Sequence, residues 1–161
     1  MKTICNTTPF IALSSIGKIE LLSRIYSEII VPEAVTEEIN AGGNIYVPDL
    51  ILFKWIRVIP NIDNSMNMKL LYQLGYGEQQ VILNALKINA DLILIDDLTA
   101  RNISEFIGLT VKGTLGVLVH AKRLGLIESF RNDAMKMKDN GIRYSQKLID
   151  EISKQLGESI Y

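Results

Sequence analysis

Five side chains are spaced so that a folded α/β chain brings them together: Asn6, Glu38, Glu78, Asp96 and Asp97. Asn6 follows the short apolar run Thr3 to Cys5, and the Asp96-Asp97 pair closes the run ADLILIDD, Ala90 to Asp97. Residues that end strands stand where open α/β sheets take their ligands. Glu38 falls three after Val35 and four after Ala34 and so shares their inward helix face, whereas Glu37 falls four after Glu33 and faces water. Glu78 precedes Val81 and Ile82 by three and four, which puts a carboxylate at the start of an apolar face. Desolvated carboxylates held together repel one another unless they are paired, hydrogen-bonded or bound to a cation. Mg²⁺ and Mn²⁺ prefer oxygen ligands and activate water toward a phosphodiester, so this donor set suggests metal-assisted phosphoryl chemistry. Each residue also has a plainer reading. Asp96 or Asp97 caps the helix from Leu98, Glu78 complements a helix dipole, and Glu38 pairs with a lysine.

Other chemistries find little support. His120 is the only histidine and falls inside an apolar helix, which leaves no zinc set and no Ser-His-Asp arrangement. Cys5 is the only cysteine, cannot form an internal disulfide, and reads as a small core thiol in an apolar strand. No GxGxxG or GxxxxGK[ST] loop follows a strand, which ranks a flavodoxin-like or nucleotide-binding domain last.

The elements that must position these residues alternate. Thr3 to Cys5 reads as a strand, and Thr8-Pro9 as the cap and first turn of a helix through Phe10, Leu13 and Ile16 that Gly17 breaks. Ile19 to Ile25 is helical, Glu28 to Val31 is a strand, and Pro32 opens a helix that runs to about Ala41 and stops at Gly42-Gly43. Trp55 to Ile59 alternates as a strand does, Asn61 to Asn67 is an irregular polar connection, and Gly77 opens a helix whose buried face is Val81, Ile82, Ala85 and Leu86. The unbroken apolar run Ala90 to Asp97 suits a central parallel strand covered on both faces. Helix Leu98 to Ile107, strand Leu109 to Val111, helices Thr114 to Leu124 and Ile127 to Lys138, and a last amphipathic helix with Leu148, Ile149, Ile152 and Leu156 on one side follow. This order predicts an α/β domain on a mostly parallel sheet.

The length of 161 residues fits one domain, and chains of this size bury roughly 68–70% of their unfolded surface. Apolar residues at 48% and charged ones at 22% are ordinary globular usage. The longest apolar stretches, Leu50 to Phe53 and Leu92 to Ile95, fall far short of the ~20 residues of a membrane span, and Met1 to Asn6 has no signal-peptide core, so a cytoplasmic protein is expected. Net charge is −1 but uneven: residues 1–97 hold 7 Lys/Arg against 11 Asp/Glu, and residues 98–161 hold 10 against 7. An acidic half with a mildly basic one suits a cation site beside a polyanion-binding rim, in which Arg101, Lys112, Lys122, Arg123 and Arg143 meet phosphates only if they cluster in space.

The segments NTTPFIALSSIGKIELL (Asn6 to Leu22), VPEAVTEEI (Val31 to Ile39), GYGEQQVILNAL (Gly75 to Leu86), LILIDDLTARNIS (Leu92 to Ser104) and VKGTLGVLVHAKRLGLI (Val111 to Ile127) resemble PIN-domain proteins, most of all a small prokaryotic subgroup related to VapC toxins. The resemblance implies a three-layer α/β/α fold, frequent homodimerisation, Mg²⁺- or Mn²⁺-dependent cleavage of single-stranded or structured RNA, and in many such proteins a small antitoxin partner. By position it places the family's first acid on Asn6, its helix glutamate on Glu38, its acidic pair on Asp96 and Asp97, and a further acid on Glu78. A fourth acidic position falls in the turn Gly113 to Gly116, where Thr114 offers a hydroxyl and a helix-start amide, for a water or phosphate oxygen or simply as a cap. Asn6 ligates a hard cation without adding charge, which weakens metal affinity relative to aspartate. Two readings therefore compete: a metal-dependent ribonuclease of toxin type, and a catalytically silent PIN-like module that binds RNA or protein.

Overall fold

The computed structural model describes residues 1–160. Five strands, β1 (Thr3–Cys5), β2 (Ile29–Pro32), β3 (Ile56–Ile59), β4 (Leu92–Leu94) and β5 (Val111–Lys112), form one all-parallel sheet in the order β3-β2-β1-β4-β5. From β1 the chain steps outward to β2 and β3, then returns to the opposite side of β1 for β4 and β5. The reversal lies between β1 and β4, paired with Thr3 opposite Leu92 and Cys5 opposite Leu94. Helices that leave neighbouring strands in opposite directions leave a crevice at their carboxyl ends, and Asn6 and Asp96 stand at its two sides.

Among the described residues eight α-helices flank the sheet: α1 (Thr7–Ser15), α2 (Leu21–Tyr26), α3 (Glu33–Asn40), α4 (Tyr76–Ile88), α5 (Leu98–Phe106), α6 (Thr114–Arg123), α7 (Phe130–Asp139) and α8 (Gln146–Gln155). Helix α4 lies against β1, β2 and β4, α1 joins α3 to α6, and α7 carries α8 outward from α6. The three-layer α/β architecture agrees with the order of elements in the sequence. Strand residues Ile4, Ile30, Val31, Ile93 and Leu94 are buried with Phe10, Leu13, Ile82, Leu118 and Phe130 from the helices. Each such side chain contributes about 1.5–3 kcal/mol by leaving water. No helix among the described residues is long and apolar enough to cross a membrane.

The boundaries differ from the sequence expectations where hydrogen bonding decides them. Helix α1 starts at Thr7, with Asn6 rather than Thr8 at the position before it, and Pro9 lies inside its first turn, where its missing N–H is not needed. Helix α4 starts at Tyr76 after Gly75 rather than at Gly77. The expected strand Ala90 to Asp97 contracts to Leu92–Leu94, because Ala90 N–H closes α4 on the Ala85 carbonyl and β1 offers only three residues to pair with. The expected strand Leu109 to Val111 shifts to β5 because Leu109 N–H closes α5 on Ser104. Helix α7 begins at Phe130, where the Ser129 hydroxyl accepts from Asn132 N–H and the Glu158 carboxylate takes the N–H groups of Phe130 and Arg131. Short 3-10 turns at Leu50–Leu52 and Lys69–Gln73 had no expectation.

Candidate active site

Asn6 is the innermost of the five residues, 5% exposed. Its extended backbone (φ −83°, ψ 179°) sends its N–H to the Leu94 carbonyl at 2.9 Å, tying the ends of β1 and β4 together. An asparagine before a helix normally turns its side chain onto that helix, but this one makes no cap bond. Its Oδ1 is buried without a donor among the described residues, an arrangement that costs about 1–3 kcal/mol unless something else supplies the partner.

Glu38 faces this oxygen across Gly77. A Cβ on Gly77 would stand 2.7 Å from Glu38 Oε2, so the missing side chain is what lets that carboxylate lie against α4; Asn6 Oδ1, at 3.7 Å from the same point, is within ordinary contact. The sequence spacing predicted a core-facing Glu38; instead the residue is exposed, and its carboxylate reaches back to accept from the Thr7 hydroxyl at 2.8 Å. A side chain of that length can leave a helix on the core side and still bring its charge to the edge of the crevice. Glu37 is exposed as expected. Thr7 was not singled out by the sequence; its only signal was its place beside Asn6.

Glu78 is half-buried at the start of α4. Burial holds its pKa above the usual carboxylate range, and the charges of Asp97 and Glu38 add to that, while backbone N–H groups of its own residue and of Gly75 pull the other way. Glu37, Glu38 and Glu78 line one open cavity of about 350 Å³ between α3 and the start of α4.

The two aspartates after β4 separate. Asp97 caps α5, with Oδ1 accepting from Ala100 N–H at 2.8 Å, and its Oδ2 has no protein donor among the described residues. Asp96 turns toward α6. Its Oδ1 accepts from Thr114 N–H at 2.6 Å, and its Oδ2 accepts from the Thr114 hydroxyl at 2.7 Å and from Tyr144 Oη at 3.3 Å. Thr114 therefore spends both donors on Asp96, not on an outside ligand. Burial, with the Asp96 charge next, pushes the Tyr144 hydroxyl far above its ordinary pKa. Tyr144 lies 48 residues beyond Asp96, and nothing in local spacing pointed to it.

Cys5 is buried, and burial followed by the Asp96 charge raises its thiol well above the ordinary value, in keeping with an inert core residue. His120 packs edge-on against Tyr26 with centroids 6.1 Å apart. Burial, then Lys112 and Arg123, lowers its pKa.

The donor chemistry fits a hard divalent cation: amide and carboxylate oxygens, with an orphaned buried Oδ1 among them. Among the described residues no three Asp, Glu, His or Cys side chains form a group that would enclose a metal. Of the five cations considered, Arg101, Lys112 and Arg143 line one groove with Asp96, whereas Lys122 is held by Glu158 at 3.7 Å and by the Glu128 carbonyl.

No curated protein matches this chain. A PIN-domain family model matches residues 2–158, nearly the whole length, and the five-stranded all-parallel sheet flanked by helices is consistent with that match. The chain belongs to the PIN-domain family.

Proposed function

We propose that this PIN domain is a divalent-cation-dependent endoribonuclease, the toxin of a VapC-like pair, acting in the cytoplasm as a homodimer and restrained by a small antitoxin protein. The observation that carries the catalytic part is the buried, donorless Oδ1 of Asn6 beside Glu38 at the reversal point of a parallel sheet. Asn6, Glu38 and the free oxygen of Asp97 would hold Mg²⁺ or Mn²⁺. Such an ion supplies positive charge that activates water and offsets the charge of the phosphodiester.

The remaining roles belong to the chain. Thr7 steadies the Glu38 carboxylate. Glu78, with its raised pKa, is the carboxylate suited to accept a proton from the attacking water. Asp96 positions the site by locking the end of β4 to the start of α6 through Thr114.

A catalytically silent module is the second reading. It is favoured by the neutral Asn6 at the first acidic position and by the saturation of Asp96 with protein donors. The test is cleavage of a defined RNA panel with and without Mn²⁺ by the wild type, Asp97→Asn and Asn6→Asp. The nuclease reading expects Mn²⁺-dependent cleavage that Asp97→Asn removes and Asn6→Asp increases. Equal cleavage by the wild type and Asp97→Asn, or none by any of the three, rejects it.

A further inference from the structure

Helices α3 and α4 carry the carboxylates of the acidic cavity, and like charges brought together push their carriers apart. No ion pair joins the two helices among the described residues. The connection that follows β3 grips both. Its start is fixed by strand register: Pro32, the residue before α3, pairs with Ile59 at the end of β3, so Asn61 emerges beside the first turn of α3. Pro32 has no side-chain acceptor with which to cap that helix. Asn61 caps it from outside, its Oδ1 accepting from Ala34 N–H at 2.9 Å while its own N–H reaches Glu33 Oε2 at 3.4 Å.

The next residue holds the other helix. Ile62 N–H donates to Gln80 Oε1 at 2.8 Å, and the Ile62 carbonyl accepts from Gln80 Nε2 at 2.7 Å, so one amide side chain on α4 pairs with the connection as a neighbouring strand would. Gln80 is 2% exposed. Asn84, equally buried one turn on, donates to the Gln80 backbone carbonyl at 3.0 Å and to its Oε1 at 3.3 Å, which fixes the amide in place. Beyond Ile62, Asn64 closes the polar stretch by pairing with the N–H and the carbonyl of Met68.

These anchors bear directly on the acids. Ala34 is itself a wall of the acidic cavity, and Gln80 lies two positions after Glu78 on the same helix. Two buried amides on α4 are costly to take out of water, and what they add over apolar packing is a fixed position. We infer that Gln80 and Asn61 are positioning residues for the cation site: the strap Asn61-Ile62 holds α3 and α4 at one separation against the repulsion of Glu37, Glu38 and Glu78, so that a divalent cation meets a cavity already formed. The inference rests on the cation site proposed above and assigns to it residues that touch neither the ion nor the RNA.

Mn²⁺ affinity is measured without RNA, from the paramagnetic resonance of the free ion, for the wild type, Gln80→Leu, Asn61→Ala and Asn61→Asp. Ser129→Ala, which removes the side-chain cap of α7 outside the cavity, supplies a matched loss of stability. Melting temperatures are recorded for every variant. Gln80→Leu and Asn61→Ala each bind Mn²⁺ about tenfold more weakly, the effect expected when a group that holds metal ligands in place is lost. Asn61→Asp keeps an acceptor for Ala34 N–H and binds as the wild type does. Ser129→Ala melts about 2–4 °C lower and keeps its affinity. In RNA cleavage the two weakened variants lose rate at limiting Mn²⁺ and regain kcat at saturating Mn²⁺, with KM for RNA unchanged.

Wild-type affinity in Gln80→Leu and Asn61→Ala, an equal loss in Ser129→Ala, or Asn61→Asp as weak as Asn61→Ala overturns the inference. Should Gln80→Leu not fold, the two Asn61 variants decide it alone. A wild type that binds no Mn²⁺ overturns it together with the nuclease reading. If the strap variants bind Mn²⁺ weakly while Asp97→Asn and the wild type cleave alike, the strap stands and the nuclease reading fails. If Asp97→Asn abolishes cleavage while the strap variants bind Mn²⁺ normally, the strap fails alone.

Discussion

Two cavities, one between α3 and the start of α4 and one that begins at Asp96 after β4, treat charge in opposite ways. On the α3/α4 side, Glu37, Glu38 and Glu78 crowd like charges together, and Asn6 buries an oxygen with nothing to receive. On the α5/α8 side, the one carboxylate, Asp96, is fully satisfied by Thr114 and Tyr144, while the cations stand unpaired. Each side is unfavourable alone, and in opposite senses. A cation relieves the first and a polyanion the second. A reaction that requires both, cleavage of a phosphodiester at a metal, would neutralise the whole surface at once. Asp97 stands between the two sides, committed to α5 by one oxygen and free at the other.

The largest effect that tests this division is Asp97→Asn. Asparagine is as good a helix cap as aspartate, so the variant keeps α5 and removes only the charge. Cleavage should fall by about a hundredfold or more while the melting temperature stays within a degree or two of the wild type. A large loss of stability instead would make Asp97 a cap and nothing more.

Gly77→Ala should come next. The new methyl group displaces Glu38 Oε2, so cation-dependent cleavage should drop by about tenfold or more. Because Gly77 lies within α4 and the obstructing atom ends a flexible side chain, stability should hold or rise by up to about 1 kcal/mol. Calorimetry and cleavage rates on one preparation separate the two.

Asp96→Ala should behave in the opposite way, because it removes the acceptor for three donors at the start of α6 and leaves Thr114 unsatisfied and fully buried. Denaturant unfolding should register a loss of about 2–3 kcal/mol. If stability is unchanged and only cleavage fails, Asp96 belongs with the acidic side and the boundary drawn here is misplaced.

The smallest effect is on pH dependence. A carboxylate whose pKa is raised on folding binds its proton more tightly in the folded state. Glu78 therefore contributes less to stability as the pH climbs from its unfolded value of 4.5 through the raised one. Glu78→Gln should raise the melting temperature slightly at neutral pH without divalent cation, and the gain should vanish in acid well below pH 4.5. Added Mn²⁺ should stabilise this variant less than the wild type. A melting temperature that falls at neutral pH would mean that Glu78 mainly supports the α4 N-terminus through its dipole.

Much of the architecture was legible in the sequence because apolar runs and helix-spaced apolar faces are local patterns. The buried LILI before Asp96, and the faces built on Val81-Ile82 and Thr114 to Arg123, could be read directly. Element ends were less legible, since Asn6, Ala90 and Leu109 are placed by hydrogen bonds to other segments. The acids were singled out by the same local rules, from their places at strand ends and on inward helix faces. Sequence periodicity could place Glu38 on a helix face, but not tell that its carboxylate would reach back to Thr7. Nor could it divide the Asp96-Asp97 pair, whose neighbours in sequence serve different helices.

By itself, then, the sequence determined the parallel α/β order and the excess of positive charge after Asp97, because these follow from residue type and spacing within short windows. Only the tertiary structure decided which of those charges are spent on partners inside the protein. That choice rests on contacts between distant segments, Tyr144 with Asp96 and Glu158 with Lys122, and on the bare approach of α4 at Gly77, where the absence of a side chain leaves Asn6 and Glu38 face to face.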